Sequence, residues 1–217
     1  MGEKKEKIQD NIDRLLLVEG KDECNFFEFF IKEHLFKQNN LANAPLIQII
    51  NVGGKDQFIS KFKILSGDDN FGKIIRFGFI RDAEEDPRGA FDSIKKVLTD
   101  YKLPVPPNIG GIKKTSELQT GIFIMPNNSE KGALENLVIE TVKNKKEYKC
   151  VNEFIKCIPK YKSPNFENRI AKASVLAYLA SQKKIVNSLG LGASKNYWNF
   201  NHDSLTQLKS FIINLYS

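Results

Sequence analysis

Apolar residues in this chain gather first into short continuous runs, each followed by a stretch at helical spacing, and after about residue 130 into helical spacing alone. Asp13 to Val18 reads as a buried strand, because a brief unbroken apolar run suits a strand covered on both faces. Glu23 to Phe36 follows as a helix whose Phe26, Phe27, Phe29, Phe30 and Ile31 make a wide apolar face. Leu46 to Val52 is a second strand, closed by Gly53-Gly54-Lys55, with Phe58, Ile59, Phe62 and Leu65 at helical spacing behind it. Ile74 to Ile80 is a third strand, and Pro87 marks a helix start, where a missing N–H costs nothing. That helix runs to about Tyr101, and Gly121 to Met125 forms a fourth strand beyond a Pro- and Gly-rich connector at 103–111.

Helical patterns then take over: Leu134, Leu137, Val138 and Thr141; Val151, Phe154, Ile155 and Ile158; Ile170 to Leu179; and Leu205 to Leu215. Strands interleaved with helices and then a run of helices predict an α/β fold, a Rossmann-like central parallel sheet flanked by helices, with an α-helical C-terminal extension. The division falls at 1–140 for the α/β domain and 141–217 for the extension packed on it. Tyr197-Trp198-Asn199-Phe200 reads as a packing anchor.

Two of the apolar runs end in acids. Leu15-Leu16-Leu17-Val18 leads into Glu19-Gly20-Lys21-Asp22, and Phe77-Gly78-Phe79-Ile80 leads through Arg81 into Asp82-Ala83-Glu84-Glu85-Asp86. Parallel strands deliver such residues to the carboxyl edge of the sheet, where open α/β sheets bind their ligands. Carboxylates gathered there repel one another unless a cation neutralises them, and a hard divalent ion with oxygen ligands answers that need. Each acid also has an ordinary reading: Glu-Gly is common in turns, and an acidic run before a proline suits a helix start. Gly53-Gly54-Lys55 reads as a turn, since it lacks the spacing of a phosphate-binding P-loop.

These residues resemble the signature of the TOPRIM superfamily, which includes topoisomerases, bacterial primases, OLD-type nucleases and small stand-alone proteins. The signature is a strand, then Glu-Gly-x-x-Asp, and a second strand ending in Asp-x-Asp with a further acid two residues on. Glu19, Gly20 and Asp22 are matched to the first element, and Asp82 and Asp86 to the second; Glu84 stands where Asp is usual. Met125-Pro126-Asn127-Asn128 and Gly132-Ala133-Leu134-Glu135 bring the resemblance closest to the OLD-like and stand-alone branches. It implies a TOPRIM-like fold with Mg²⁺ (or Mn²⁺) held by Glu19, Asp22, Asp82, Glu84, Asp86 and Glu135, Glu19 doubling as general acid or base. It also implies that Lys172 stabilises charge on a scissile phosphate. Glu135 and Lys172 have the plain alternatives of a helix-start acid and a surface lysine.

Charge sharpens this picture. Of the net charge of +7, residues 1–130 carry 19 Lys/Arg against 20 Asp/Glu, and residues 131–217 carry 14 against 6. Lys143, Lys145, Lys146, Lys149, Lys156, Lys160 and Lys162 crowd into twenty positions, the footprint of a polyanion site or of a solvated helix face. Lys145, Lys146 and Lys149 are its candidate nucleic-acid contacts. Three cysteines without a C-x-x-C pair argue against a disulfide framework, and two histidines add no zinc-ligand spacing. No membrane-length apolar stretch or signal peptide is present, so a soluble cytoplasmic protein is expected. The function these features predict is Mg-dependent cleavage of DNA or RNA, acting alone, as a homo-oligomer or with a partner protein. The alternative is a non-catalytic module that binds a metal, nucleotide or nucleic acid through a degenerate site.

Overall fold

A computed structural model describes residues 7–36, 45–158 and 166–217. Its centre is a five-stranded, mostly parallel sheet in the order β2-β1-β3-β5-β4. The strands are β1 (Arg14–Val18), β2 (Gln48–Asn51), β3 (Arg76–Asp82), β4 (Ile112–Lys114) and β5 (Gln119–Met125). β1, β2, β3 and β5 run parallel, and only the edge strand β4 is antiparallel, paired to β5. β4 has three residues with two exposed lysines, too short to show as a pattern between the connector at 103–111 and β5, where the sequence predicts no strand.

The helices are α1 (Lys21–Phe29), continued by a π-helical turn at Phe30–Phe36, α2 (Phe58–Ser66), α3 (Pro87–Asp100), α4 (Leu134–Glu140), α5 (Lys146–Cys157), α6 (Phe166–Ala180), α7 (Leu189–Ser194) and α8 (Thr206–Tyr216). The sheet alternates its side chains between two cores. Leu15, Leu17, Phe77, Phe79, Ile122 and Ile124 meet α2 and α3 on one face. Leu16, Val18, Ile80, Phe123 and Met125 meet α1, α4, α5 and the C-terminal helices on the other. The second core therefore draws on both sides of the expected boundary at 140, and the helical extension shares the core of the α/β part.

Glycine decides how closely α8 approaches. Gly78 and Gly121 leave the middle of β3 and β5 bare, so Leu215, Tyr216 and Phe211 lie directly on the strands. The buried Tyr216 hydroxyl donates to the Leu15 carbonyl at 2.6 Å. Trp198, as the sequence anchor predicts, is buried and donates its indole N–H to the Leu189 carbonyl at 3.0 Å. Cys24 packs against the core, while Cys150 and Cys157 are exposed. No helix among the described residues is long and apolar enough to cross a membrane.

Candidate functional site

The chain runs from β1 outward to β2 and then returns to the other side of β1 to form β3. The winding direction therefore reverses between β1 and β3, which makes their carboxyl ends the crevice where open sheets place ligands. Glu19 follows β1 directly and Asp82 closes β3, so register alone brings them together. One Glu19 oxygen accepts the Asp82 N–H at 3.2 Å. Arg81, one residue before Asp82, approaches the same oxygen with Nε at 3.4 Å. Its guanidinium is held in turn by the Ser93 hydroxyl and the face of Phe58.

The loop after β3 carries Glu84 to the rim. Its φ is +54°, a left-handed conformation uncommon for a side chain of this kind. The Glu84 N–H bonds the Gly132 carbonyl at 2.9 Å and the Gly132 N–H returns to the Glu84 carbonyl at 2.8 Å. This pair of bonds pins the acidic loop to the start of α4. There the Leu134 N–H donates to Asp82 at 3.1 Å, and Glu135 stands next in the chain. The first turn of α1 supplies Glu23 and the middle of α6 supplies Lys172. Asp82, Glu84, Glu135, Glu23 and Lys172 all line one cleft of about 1190 Å³.

The electrostatics show how closely these groups are gathered. Burial pushes the Glu19 carboxyl up from its ordinary 4.5 to about 7; Arg81 and the Asp82 N–H pull it back, and Glu23 and Glu84 add to the rise. Burial raises Asp82 well above its usual range, with Glu19, Glu135 and Glu23 adding to it. Glu23 and Glu135 are also raised, first by burial, and Lys172 moderates both. Among the described residues, no three His, Cys, Asp or Glu side chains are arranged so as to hold a metal ion.

Three sequence assignments need correction. Asp22 does not face the cleft as a ligand: its two oxygens accept the Leu189 and Gly190 N–H groups at 2.8 and 2.7 Å, fastening α7 to α1. The acid that lines the cleft from this segment is Glu23. The spacing itself could have found it, because the last position of Glu-Gly-x-x-Asp, counted from Glu19, falls on residue 23. Asp86 is the N-cap of α3, one oxygen accepting the Arg88 and Gly89 N–H groups at 3.0 Å each, which satisfies donors that the helix start leaves open. Lys145 is a packing residue rather than a phosphate contact, since its ammonium donates to the Tyr178 hydroxyl at 3.1 Å and the Tyr197 carbonyl at 3.0 Å. Lys146 and Lys149 are exposed on α5, and Lys160 and Lys162 lie outside the described residues.

The role of Asp22 as a clamp gives a direct expectation. Asp22→Ala leaves two N–H groups of α7 without their charged acceptor, and losing charged hydrogen bonds at partly buried sites costs about 2 kcal/mol. Urea unfolding without any divalent ion should show that loss, whereas a purely ligating Asp22 would leave the metal-free stability unchanged.

A family model described as a protein of unknown function, DUF3226, matches residues 13–217. No curated protein matches the chain, and no solved structure does.

Proposed function

We propose, for a chain that belongs to the DUF3226 family, that the acidic cleft is a TOPRIM-like site for metal-dependent cleavage of nucleic-acid phosphodiesters. The observation carrying this reading is the convergence of Glu19, Glu23, Asp82, Glu84 and Glu135 at the switch point of the sheet, each of the buried ones with its pKa raised. Acids so placed resist ionising together unless a cation joins them. Their donor chemistry fits a hard divalent ion, Mg²⁺ or Mn²⁺, because it is entirely carboxylate oxygen. The carboxylates that would hold the ion are those of Asp82, Glu84, Glu135 and Glu23, with Glu19 beside Asp82. When bound, the ion supplies charge neutralisation at the phosphate oxygens.

The chain's own groups have distinct tasks in this reading. Glu19, whose pKa burial raises to about 7 in the metal-free protein, is the candidate for giving or taking a proton. Arg81 and the Asp82 N–H fix the direction of its carboxylate. Lys172 places a cation beside Glu23 and Glu135, where it attracts a phosphate and opposes charge that grows on it. A binding-only module remains the second reading, and the absence of a preformed three-acid metal arrangement among the described residues favours it.

The deciding experiment incubates the purified chain with single- and double-stranded DNA and RNA in Mg²⁺, Mn²⁺ or chelator. Cleavage that needs metal and disappears in Asp82→Asn is the expected result. Metal-dependent binding without cleavage of any of the four substrates would leave only the binding module. In the same assay, Lys146→Glu with Lys149→Glu should weaken nucleic-acid affinity regardless of sequence and flatten the log–log salt dependence by about 2 units. An unaltered slope would make those lysines a solvated face.

A further inference from the structure

The acidic wall is only half of the cleft. Beyond Glu135, the next turn of α4 presents Ile139, and α6 presents Ile170 two residues before Lys172; both line the same cleft, together with Tyr148 from α5. Ser174 lines the cleft beside Tyr148, and the Tyr148 ring stands edge-on to Tyr178 with centroids 6.3 Å apart. Tyr148 packs against the core beside Tyr178 and keeps part of its surface open to the cleft. Carboxylates and a lysine thus pass into an aromatic and aliphatic surface along one groove between α4 and α6.

We propose that this apolar wall receives the base of an unpaired nucleotide whose phosphate lies at the carboxylates, so that the cleft takes single-stranded nucleic acid in preference to duplex. The proposal rests on the reading of the acidic cleft given above and adds the class of substrate. Each base has a flat apolar face that stacks on an aromatic ring without regard to sequence. In a duplex that face is already stacked and paired, and reaching it requires turning the nucleotide out of the helix. Carboxylates and their ion engage phosphate oxygens, which both forms carry. Tyr148 adds a ring that an unpaired base can reach, and Ile139 and Ile170 add apolar surface to the same cleft.

The test measures fluorescence anisotropy of labelled single strands and blunt duplexes of equal length, as DNA and as RNA, with the full chain in Ca²⁺. Wild-type protein should bind the single strand about tenfold more tightly than the duplex. Tyr148→Ala should remove that preference while leaving duplex affinity in place, and Tyr148→Phe, which keeps the ring, should retain it. A single strand carrying 5-iodouracil should crosslink to Tyr148 of the wild-type chain on irradiation, a measurement that needs no variant to fold. Equal wild-type affinity for strand and duplex, a preference that survives Tyr148→Ala, or crosslinking confined to other elements would each overturn the proposal. Glu19-dependent cleavage of duplex and single strand at equal rates would overturn it while sparing the cleavage reading. A single-strand preference that depends on Tyr148, found without cleavage in any metal, would uphold the apolar wall and remove the nuclease.

Discussion

Glu19→Gln should lower the proposed metal-dependent cleavage by about 10²-fold or more, the usual consequence of losing a group that transfers a proton or steadies the transition state. The same change should stabilise the metal-free protein at pH 8. The Glu19 carboxyl has a folded pKa of about 7 against an ordinary 4.5, so the folded state holds its proton over a range in which the unfolded chain has released it. Below about pH 4.5 both states are protonated and the group contributes nothing to the pH dependence. As pH rises to about 7 the folded state loses stability relative to the unfolded one, and above that the penalty is constant. A rise from 4.5 to about 7 corresponds to a penalty of about 3 kcal/mol for ionised Glu19, which a neutral glutamine avoids. Urea unfolding in chelator at pH 5 and pH 8 should therefore show a wild-type decline that the variant largely lacks. A variant less stable than wild type at pH 8, together with unchanged cleavage, would remove Glu19 from the site.

Gly78→Ala should be the most damaging small substitution in the sheet. A Cβ there would meet the Tyr216 hydroxyl oxygen at 2.4 Å, Leu215 Cδ2 at 2.9 Å and Leu16 Cδ1 at 3.0 Å, and all three partners are buried. The neighbours cannot swing into solvent, because Tyr216 is bonded to the Leu15 carbonyl and Leu16 faces the same core. Overpacking of a dense interior costs about 3 kcal/mol when nothing can move aside, and here the Tyr216 bond is threatened as well. Thermal unfolding should fall by about 8 °C or more for a single change of one methyl group, using the usual conversion for domains of this size. Tyr216→Phe combined with Gly78→Ala should recover part of the loss, since it deletes the nearest atom. If the double variant is no better than the single one, the clash with Tyr216 is not the cause.

Much of the architecture was written locally in the chain. Continuous apolar runs at β1, β2, β3 and β5 are buried on both faces of a parallel sheet, and burial on both faces is what makes a run continuous. Pro87 begins α3 at N1, as its place in the sequence predicts. Glu19 and Asp82 were legible for the same reason: each is the first acid beyond a run that could only be a strand, and parallel strands put their ends on one edge.

Other assignments depended on partners far along the chain. Asp22 and Glu23 are adjacent acids on one helical turn; the spacing from Glu19 points to residue 23, but nothing local says what Asp22 does instead, which is to accept from the N–H groups of Leu189 and Gly190, more than 160 residues away. Lys145 looks like its neighbours Lys146 and Lys149 until Tyr178 and the Tyr197 carbonyl accept from it. The apolar wall of Ile139, Tyr148 and Ile170 joins three helices, each of which alone reads as an ordinary amphipathic segment. The sequence by itself determined four of the five strands, the helical C-terminal section and the acids Glu19, Asp82 and Glu84 that follow the strands, because burial and backbone periodicity act between near neighbours. Only the tertiary structure decided which charges meet the cleft and which are spent on packing, because hydrogen bonds and Coulomb forces act between groups that the fold brings together.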